Sequence, residues 1–310
     1  MKPLTTEEIR AVIARGKLKD TLFKGLGIVC LSFGLLVIVA LILDMAIKGS
    51  ERFTIDFFLN FASRRATQAG ILSAWVGSLL IMFVTALAAV PLGVAAGVYL
   101  EEYAPRNWVT QIIEINIANL AAVPSIVYGL LSLGIFVYQF GLGQSILSAG
   151  LTLALLILPI IIVATREAIR AIPAMIREGS MAVGATRWQT CRYHIIPYAM
   201  PGILTGVIIG LARAIGETAP IITIGALTFI AFLPPAPFST LGDGSTAGLF
   251  EWVMAPFTVM PIQIFNWTSR PDPAFEVNSA AAGFVLMAMV LTMNGVAIWL
   301  RYRMRKNIKW

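Results

Sequence analysis

The sequence has little charge, one histidine and two cysteines. Charged residues make up 13% of its 310 positions, about half of the ~25% usual in soluble domains. Such a chain is neither an ordinary soluble enzyme nor a charged, disordered one. A single histidine, His194, excludes a histidine-rich metal site, and two cysteines cannot build a disulfide scaffold. No Gly-x-x-x-x-Gly-Lys-Ser/Thr phosphate loop occurs, so ATP hydrolysis of that kind needs a separate chain. No nucleophile–base constellation is present, and no cofactor or metal is expected. What is abundant is apolar. Hydrophobic residues reach 58%, against about 45–50% in globular domains, and the mean hydropathy is +0.84.

Six apolar stretches are each long enough for the ~20 helical residues that a bilayer core requires. They run over 25–47, 71–100, 112–140, 145–165, 203–233 and 280–300. None alternates with period two, as barrel strands would, so the expectation is an all-α protein with six transmembrane helices. Lys and Arg give the orientation. The N-terminal segment 1–24 carries Lys2, Arg10, Arg15, Lys17, Lys19 and Lys24. Arg106 follows span two; Arg166, Arg170, Arg177, Arg187 and Arg192 follow span four; Arg301, Arg303, Arg305, Lys306 and Lys309 lie in the tail 301–310. The opposite side has only Lys48, Arg52, Arg64, Arg65 and Arg270. Both termini are therefore expected in the cytoplasm. The net charge of +7 reads as topology, and no nucleic-acid partner is expected. A cleaved signal peptide is not expected, because residues 1–24 are polar and the first apolar run exceeds an h-region. Cys30 falls in lipid and Cys191 in the cytoplasm, so no disulfide is expected.

The loop between spans four and five reads EAIRAIPAMIREGSMAVGATRWQTCRYHIIPYAMPGI, from Glu167 to Ile203. Pro173 suits the start of a short helix, Gly184 a sharp turn, and Thr186 the start of a second helix. Pro197 and Pro201 punctuate the approach to span five. A helix–glycine–helix elbow suits docking onto a cytoplasmic partner. Arg177, Arg187 and Arg192 suit lipid headgroups. The spacing Glu178, Gly184, Pro197 resembles the EAA loop of ABC importer permeases, with Gly179 and Ser180 replacing its two alanines and Ile196 its leucine. The resemblance implies that Glu178, Ala182, Gly184, Ala185 and Thr186 contact an ATPase subunit within a coupling loop over 167–197. His194 stands where that family usually has an aliphatic residue.

Span five contains GLARAIGETAPIITIG. Arg213 and Glu217 are four apart, on one helix face. Each intramembrane charge costs about 2.5–3.5 kcal/mol to insert, so the pair should face protein or a wet cavity. Pro220 leaves the carbonyl of Gly216 without its helical donor, and a break is expected between Arg213 and Pro220. The stretch from Pro201 to Leu233 would also span roughly 50 Å as one helix, too long for a single crossing. The string RAIGETAP resembles the signature of phosphate ABC importer permeases of the A type (PstA). Sulfate and molybdate permeases usually follow the glutamate with an aromatic residue, which Thr218 is not.

In span three, Asn116 and Asn119 share a face, Pro124 frees the carbonyl of Leu120, and Ser125 offers a hydroxyl nearby. These groups suit either a pathway or a helix contact. Asp44 and Glu114 lie near span ends, where solvation is expected. Trp252, Phe257, Phe265 and Trp267 in the outward loop 233–279 suit the membrane interface. The resemblance implies a type I ABC importer permease of MetI-like fold, with a permease domain over 71–300. It implies the substrate phosphate, passed by Arg213, Glu217, Thr218, Ser125 and Asn119 beside helix breaks at Gly216, Pro220 and Pro124. The partners it implies are a C-type permease (PstC), an ATPase dimer (PstB type) and a periplasmic phosphate-binding protein (PstS type) at a bacterial inner membrane. Another oxyanion is the alternative cargo. An ion-driven secondary transporter would show inverted repeats or carboxylate relays, and neither occurs.

Overall fold

The computed structural model describes residues 6–239, 246 and 248–305, with side chains over 16–304 of these. Lys2, Lys306 and Lys309 of the expected basic termini lie outside the described residues. The helices in chain order are α1 Thr6–Gly49, α2 Ile55–Leu59, α3 Leu72–Val98, α4 Trp108–Leu120, α5 Ser125–Ser132 and α6 Ile146–Arg170. There follow α7 Ala174–Ala182, α8 Arg187–Thr190, α9 Ile196–Gly216, α10 Ala219–Ile224, α11 Met260–Thr268 and α12 Ala274–Arg305. Wider π turns extend α3 to Tyr103 and α5 to Gln139, and join α8 to α9. Local chemistry sets several starts. Asn107 Oδ1 accepts the N–H of Thr110 at 2.9 Å to open α4, and Ser145 Oγ accepts that of Ser148 at 3.3 Å to open α6.

Among the described residues, five helices are long and apolar enough to cross a membrane, and a sixth crossing exists if α4 and α5 count as one. The third apolar stretch is not one helix. The chain breaks over 121–124, and the two helices meet at 106°. Pro124 brings no N–H, and the Leu120 carbonyl instead accepts the Tyr128 hydroxyl at 2.9 Å. The fifth expected span is also corrected. Its helix begins before Ile203, Pro197 and Pro201 lie within α9, and helix is lost for good at Gly225, with φ of 99°. Residues 226–233 contribute no helix. The first helix runs unbroken from Thr6 to Gly49 and carries the apolar stretch 25–47 within it. Its apolar stretch is 0% buried within the chain. Its far end packs, where Gly49 abuts Ala281 and Met45 abuts Gly283 of α12.

The core is α6, sandwiched between α3 and α9; 67% of its apolar window is buried, the largest share among the candidate spans. Lipid tails are as apolar as leucine, so close approach must hold such helices together, and small residues provide it. Gly93 and Gly97 of α3 face Ile161 and Thr165 of α6, while Gly202 and Gly206 of α9 face Ala168 and Ala164. Arg301 Nη1 donates to Thr205 Oγ1 at 3.0 Å, tying α12 to α9. At the other end of the bundle, Ser78 Oγ accepts the Met260 N–H at 2.9 Å and Asn278 Nδ2 donates to the Ala66 carbonyl at 2.9 Å. The 233–279 loop is therefore stitched to the spans. Phe257 and Trp267, expected at the membrane interface, are 2% and 0% exposed, and Trp267 packs between Phe57 and Phe275. Phe265 remains exposed.

Candidate functional site

Arg213 lies in the last turn of α9, and Glu217 is the first residue past it, with extended backbone at φ −76° and ψ 124°. Glu217 Oε1 accepts Arg213 Nε at 3.3 Å. The pair thus closes across a helix end, not along a continuous face as the spacing predicts. The arginine side chain is 38% exposed and the glutamate 19%. Among the described residues, the Arg213 Nη atoms have no acceptor, so both ends of the guanidinium fork keep their donors. Glu217 also borders a crevice of about 10 Å³ with Ser78, Met82, Leu153, Val259 and Pro261, at the lower limit for one water.

The break itself is two residues, Glu217 and Thr218, after which Pro220 occupies the first turn of α10, where a missing N–H costs nothing. Helix α10 packs against α5 through Gly129. A Cβ built there would stand 2.6 Å from Pro220 Cα, so only glycine allows this approach. Tyr128, its neighbour, is 7% exposed, and its hydroxyl occupies the carbonyl that Pro124 frees. The two broken spans therefore meet, with Arg213 and Glu217 at the end of one and the 121–124 break beside the other. Asn119 and Ser125 flank that break, Asn119 exposed and Ser125 half-buried. Among the described residues, neither side chain hydrogen-bonds to the segment from Arg213 to Pro220. Asn116 Nδ2 is spent on the Ile112 carbonyl at 2.8 Å.

The elbow follows its residues closely. Pro173 precedes α7, and Gly184 turns the chain at φ of 91°. Thr186 caps α8 in a reciprocal box with Gln189, at 2.9 and 3.2 Å. Glu178, Ala182, Gly184 and Thr186 are exposed and Ala185 is half-buried. Around the turn, Val183, Gly184, Ala185, Gln189, Tyr193 and His194 line an open concavity of about 350 Å³. Cys191 is buried within this region rather than facing solvent.

Between the elbow and the spans lies an ion-pair cluster that sequence reasoning missed. Glu114 is not simply solvated: its Oε1 stands 2.6 Å from Nη2 of Arg166, whose side chain is 8% exposed. Arg166 Nε also stands 3.6 Å from Glu101, and Arg170 Nη2 3.1 Å from the same carboxylate. Arg177 Nη2 pairs with Glu102 at 2.7 Å and donates to the Ile169 carbonyl at 3.0 Å. The only sequence signal was the excess of arginine in one loop, which is also what topology requires.

The chain matches the family described as binding-protein-dependent transport system inner membrane component over residues 89–306. It is 33% identical to the probable ABC transporter permease YqgI of Bacillus subtilis, over 94% of this chain and 98% of that protein. It is 31% identical to the phosphate transport system permease PstA 1 of Mycobacterium tuberculosis (strain H37Rv), over 75% of this chain and 70% of that protein. PstA of Pasteurella multocida is 28% identical over 90% and 92%. Among solved structures, a chain of a bacterial alginate ABC transporter superposes with a TM-score of 0.62 at 13% identity, covering 91% of this chain and 94% of that one. A chain of the MetNI methionine ABC transporter does so with a TM-score of 0.56 at 16% identity, over 74% and 93%. With its glycine elbow, its stacked α3, α6 and α9 and this match over most of its length, the chain belongs to the family of binding-protein-dependent transport inner-membrane components, as an ABC importer permease of MetI-like fold.

Proposed function

We propose that this chain is the A-type permease subunit that passes inorganic phosphate through the membrane by alternating access. The observation that carries the reading is Arg213, held by one nitrogen at 3.3 Å while the rest of its fork stays open at a helix break. A planar guanidinium suits a tetrahedral oxyanion, because two parallel N–H groups match two oxygens. Glu217 competes for the same cation. Phosphate is therefore bound weakly enough to leave, as conduction requires. Similarity to PstA permeases supports phosphate over other oxyanions.

In this reading the chain pairs with a second permease of C type and receives cargo from a periplasmic phosphate-binding protein. An ATPase dimer supplies the energy, and the termini lie in the cytoplasm. The ATPase meets Glu178, Ala182, Gly184, Ala185 and Thr186, and the elbow moves rigidly with it because Thr186 and Gln189 lock its second helix. Thr218, Ser125 and Asn119 offer neutral polar groups along the path. The test is Arg213→Gln in the assembled transporter, reconstituted with its binding protein and loaded with ATP. Phosphate uptake falls to background while all subunits still co-purify. Undiminished uptake overturns the role, and uptake blocked equally by excess sulfate overturns the choice of phosphate.

A further inference from the structure

A cavity of about 870 Å³ opens between the π turn closing α3, the loop leading to α4, the end of α6 and the coupling elbow. Four guanidiniums line it, from Arg106, Arg170, Arg177 and Arg187, against the carboxylates of Glu101 and Glu102. Two of the four are already committed. Arg170 holds Glu101 at 3.1 Å and Glu167 at 3.2 Å. Arg177 holds Glu102 at 2.7 Å and donates to the carbonyls of Ile169 and Ile172, each at 3.0 Å. These pairs use up both lining carboxylates. Arg106 and Arg187 are exposed, and their side chains make no ion pair or hydrogen bond among the described residues. Four cations against two anions leave the cavity with two positive charges in excess.

The surroundings are amphipathic in a particular way. Just past Arg106, α4 begins at Trp108, which is 71% exposed, followed by Val109 at 43% and Ile112 at 48%. No residue of α4 is buried. The cavity is thus a charged recess at the ends of two spans, and the exposed apolar start of α4 follows two residues after its lining residue Arg106. An anion carried on acyl chains matches both halves at once, and basic recesses between membrane helices suit anionic headgroups. An exposed tryptophan at the start of α4 matches the headgroup level.

We propose that this cavity binds a phosphoryl anion between Arg106 and Arg187, and that the anion is the headgroup of an anionic phospholipid whose chains lie along α4. The inference rests on the cytoplasmic placement of the elbow in the reading above. The occupant would abut Arg177 and Met181 of α7, so the bilayer itself would help to set the elbow's position.

The experiment takes the complete transporter, permease pair with ATPase, into nanodiscs of phosphatidylcholine with or without phosphatidylglycerol, in phosphate-free buffer. Lipid retained on release is counted by native mass spectrometry. Phosphatidylglycerol is expected to be retained in preference to phosphatidylcholine, with retention falling roughly fivefold in Arg106→Gln and again in Arg187→Gln. Arg270→Gln, at a residue that stacks on Phe275 at 4.3 Å and lines no part of the cavity, keeps wild-type retention. No preference for phosphatidylglycerol, or equal loss in Arg270→Gln, overturns the site. A second arm adds inorganic phosphate to discs of phosphatidylcholine alone. Saturable binding there that both cavity variants abolish assigns the site to the free anion and overturns the lipid. Retention is read without transport, so a failure of the Arg213 experiment stays separate from a failure here.

Discussion

Arg166 and Arg213 sit on neighbouring helices of one core and could hardly be held more differently. Arg166 is 8% exposed and stands against two carboxylates, at 2.6 and 3.6 Å, from two other segments of chain. Arg213 is 38% exposed and, among the described residues, has a single ion pair, at 3.3 Å, from its own helix end. The first has its charge matched by two carboxylates, though neither its Nε nor its Nη2 makes a hydrogen bond, and it joins α4 and the end of α3 to α6. The second keeps donors unspent, and a cation with donors to spare beside a break is what a passing anion needs. Burial and partner count thus set the two arginines apart, where residue type does not.

The largest expected effect tests the open member of this comparison. Arg213→Gln removes phosphate uptake with no loss of assembled protein, read by uptake and pull-down; a variant that fails to assemble would make Arg213 a brace as well. Arg166→Gln is expected to do the reverse. Breaking one side of a buried ion pair costs about 3–5 kcal/mol, so the detergent-solubilised transporter should melt well below wild type. Wild-type melting together with lost uptake would move Arg166 into the pathway. Gly129→Leu drives a side chain into the Pro220 backbone, and overpacking of this sort costs about 1–3 kcal/mol. Uptake should fall more than thermal stability alone explains, since the two breaks are separated. Gly184→Val meets no neighbour within 4 Å, so its cost is strain at φ of 91°, about 1–3 kcal/mol. Assembled complexes should show ATP turnover that no longer responds to loaded binding protein. The smallest effect is Tyr128→Phe, which removes one hydrogen bond worth about 0.5–1.5 kcal/mol. It should lower maximal uptake modestly while leaving half-saturation unchanged; a shift confined to half-saturation would place the hydroxyl in contact with phosphate.

The amino-acid order shows the elbow almost completely, because Pro173, Gly184 and Thr186 act on their own backbone within a turn. It also shows where α9 stops, since Gly216 and Pro220 both weaken helix there. The break in the third span is harder to read. Pro91, Pro159 and Pro201 all lie inside unbroken helices, so a proline in an apolar run is not sufficient. What differs at Pro124 is Tyr128, whose hydroxyl accompanies the freed Leu120 carbonyl. The ion pair of Glu114 with Arg166, and the burial of Phe257 and Trp267, depend on segments far apart in the chain. No local pattern reports such contacts.

The glycine at 129 has a mechanical consequence. Where a helix rests its bare backbone on a proline backbone and one short hydroxyl, that of Thr223, little remains to yield. A displacement that starts in α10 is handed to α5 undamped, and the angle of the split third crossing changes in the same stroke as the surroundings of the cation.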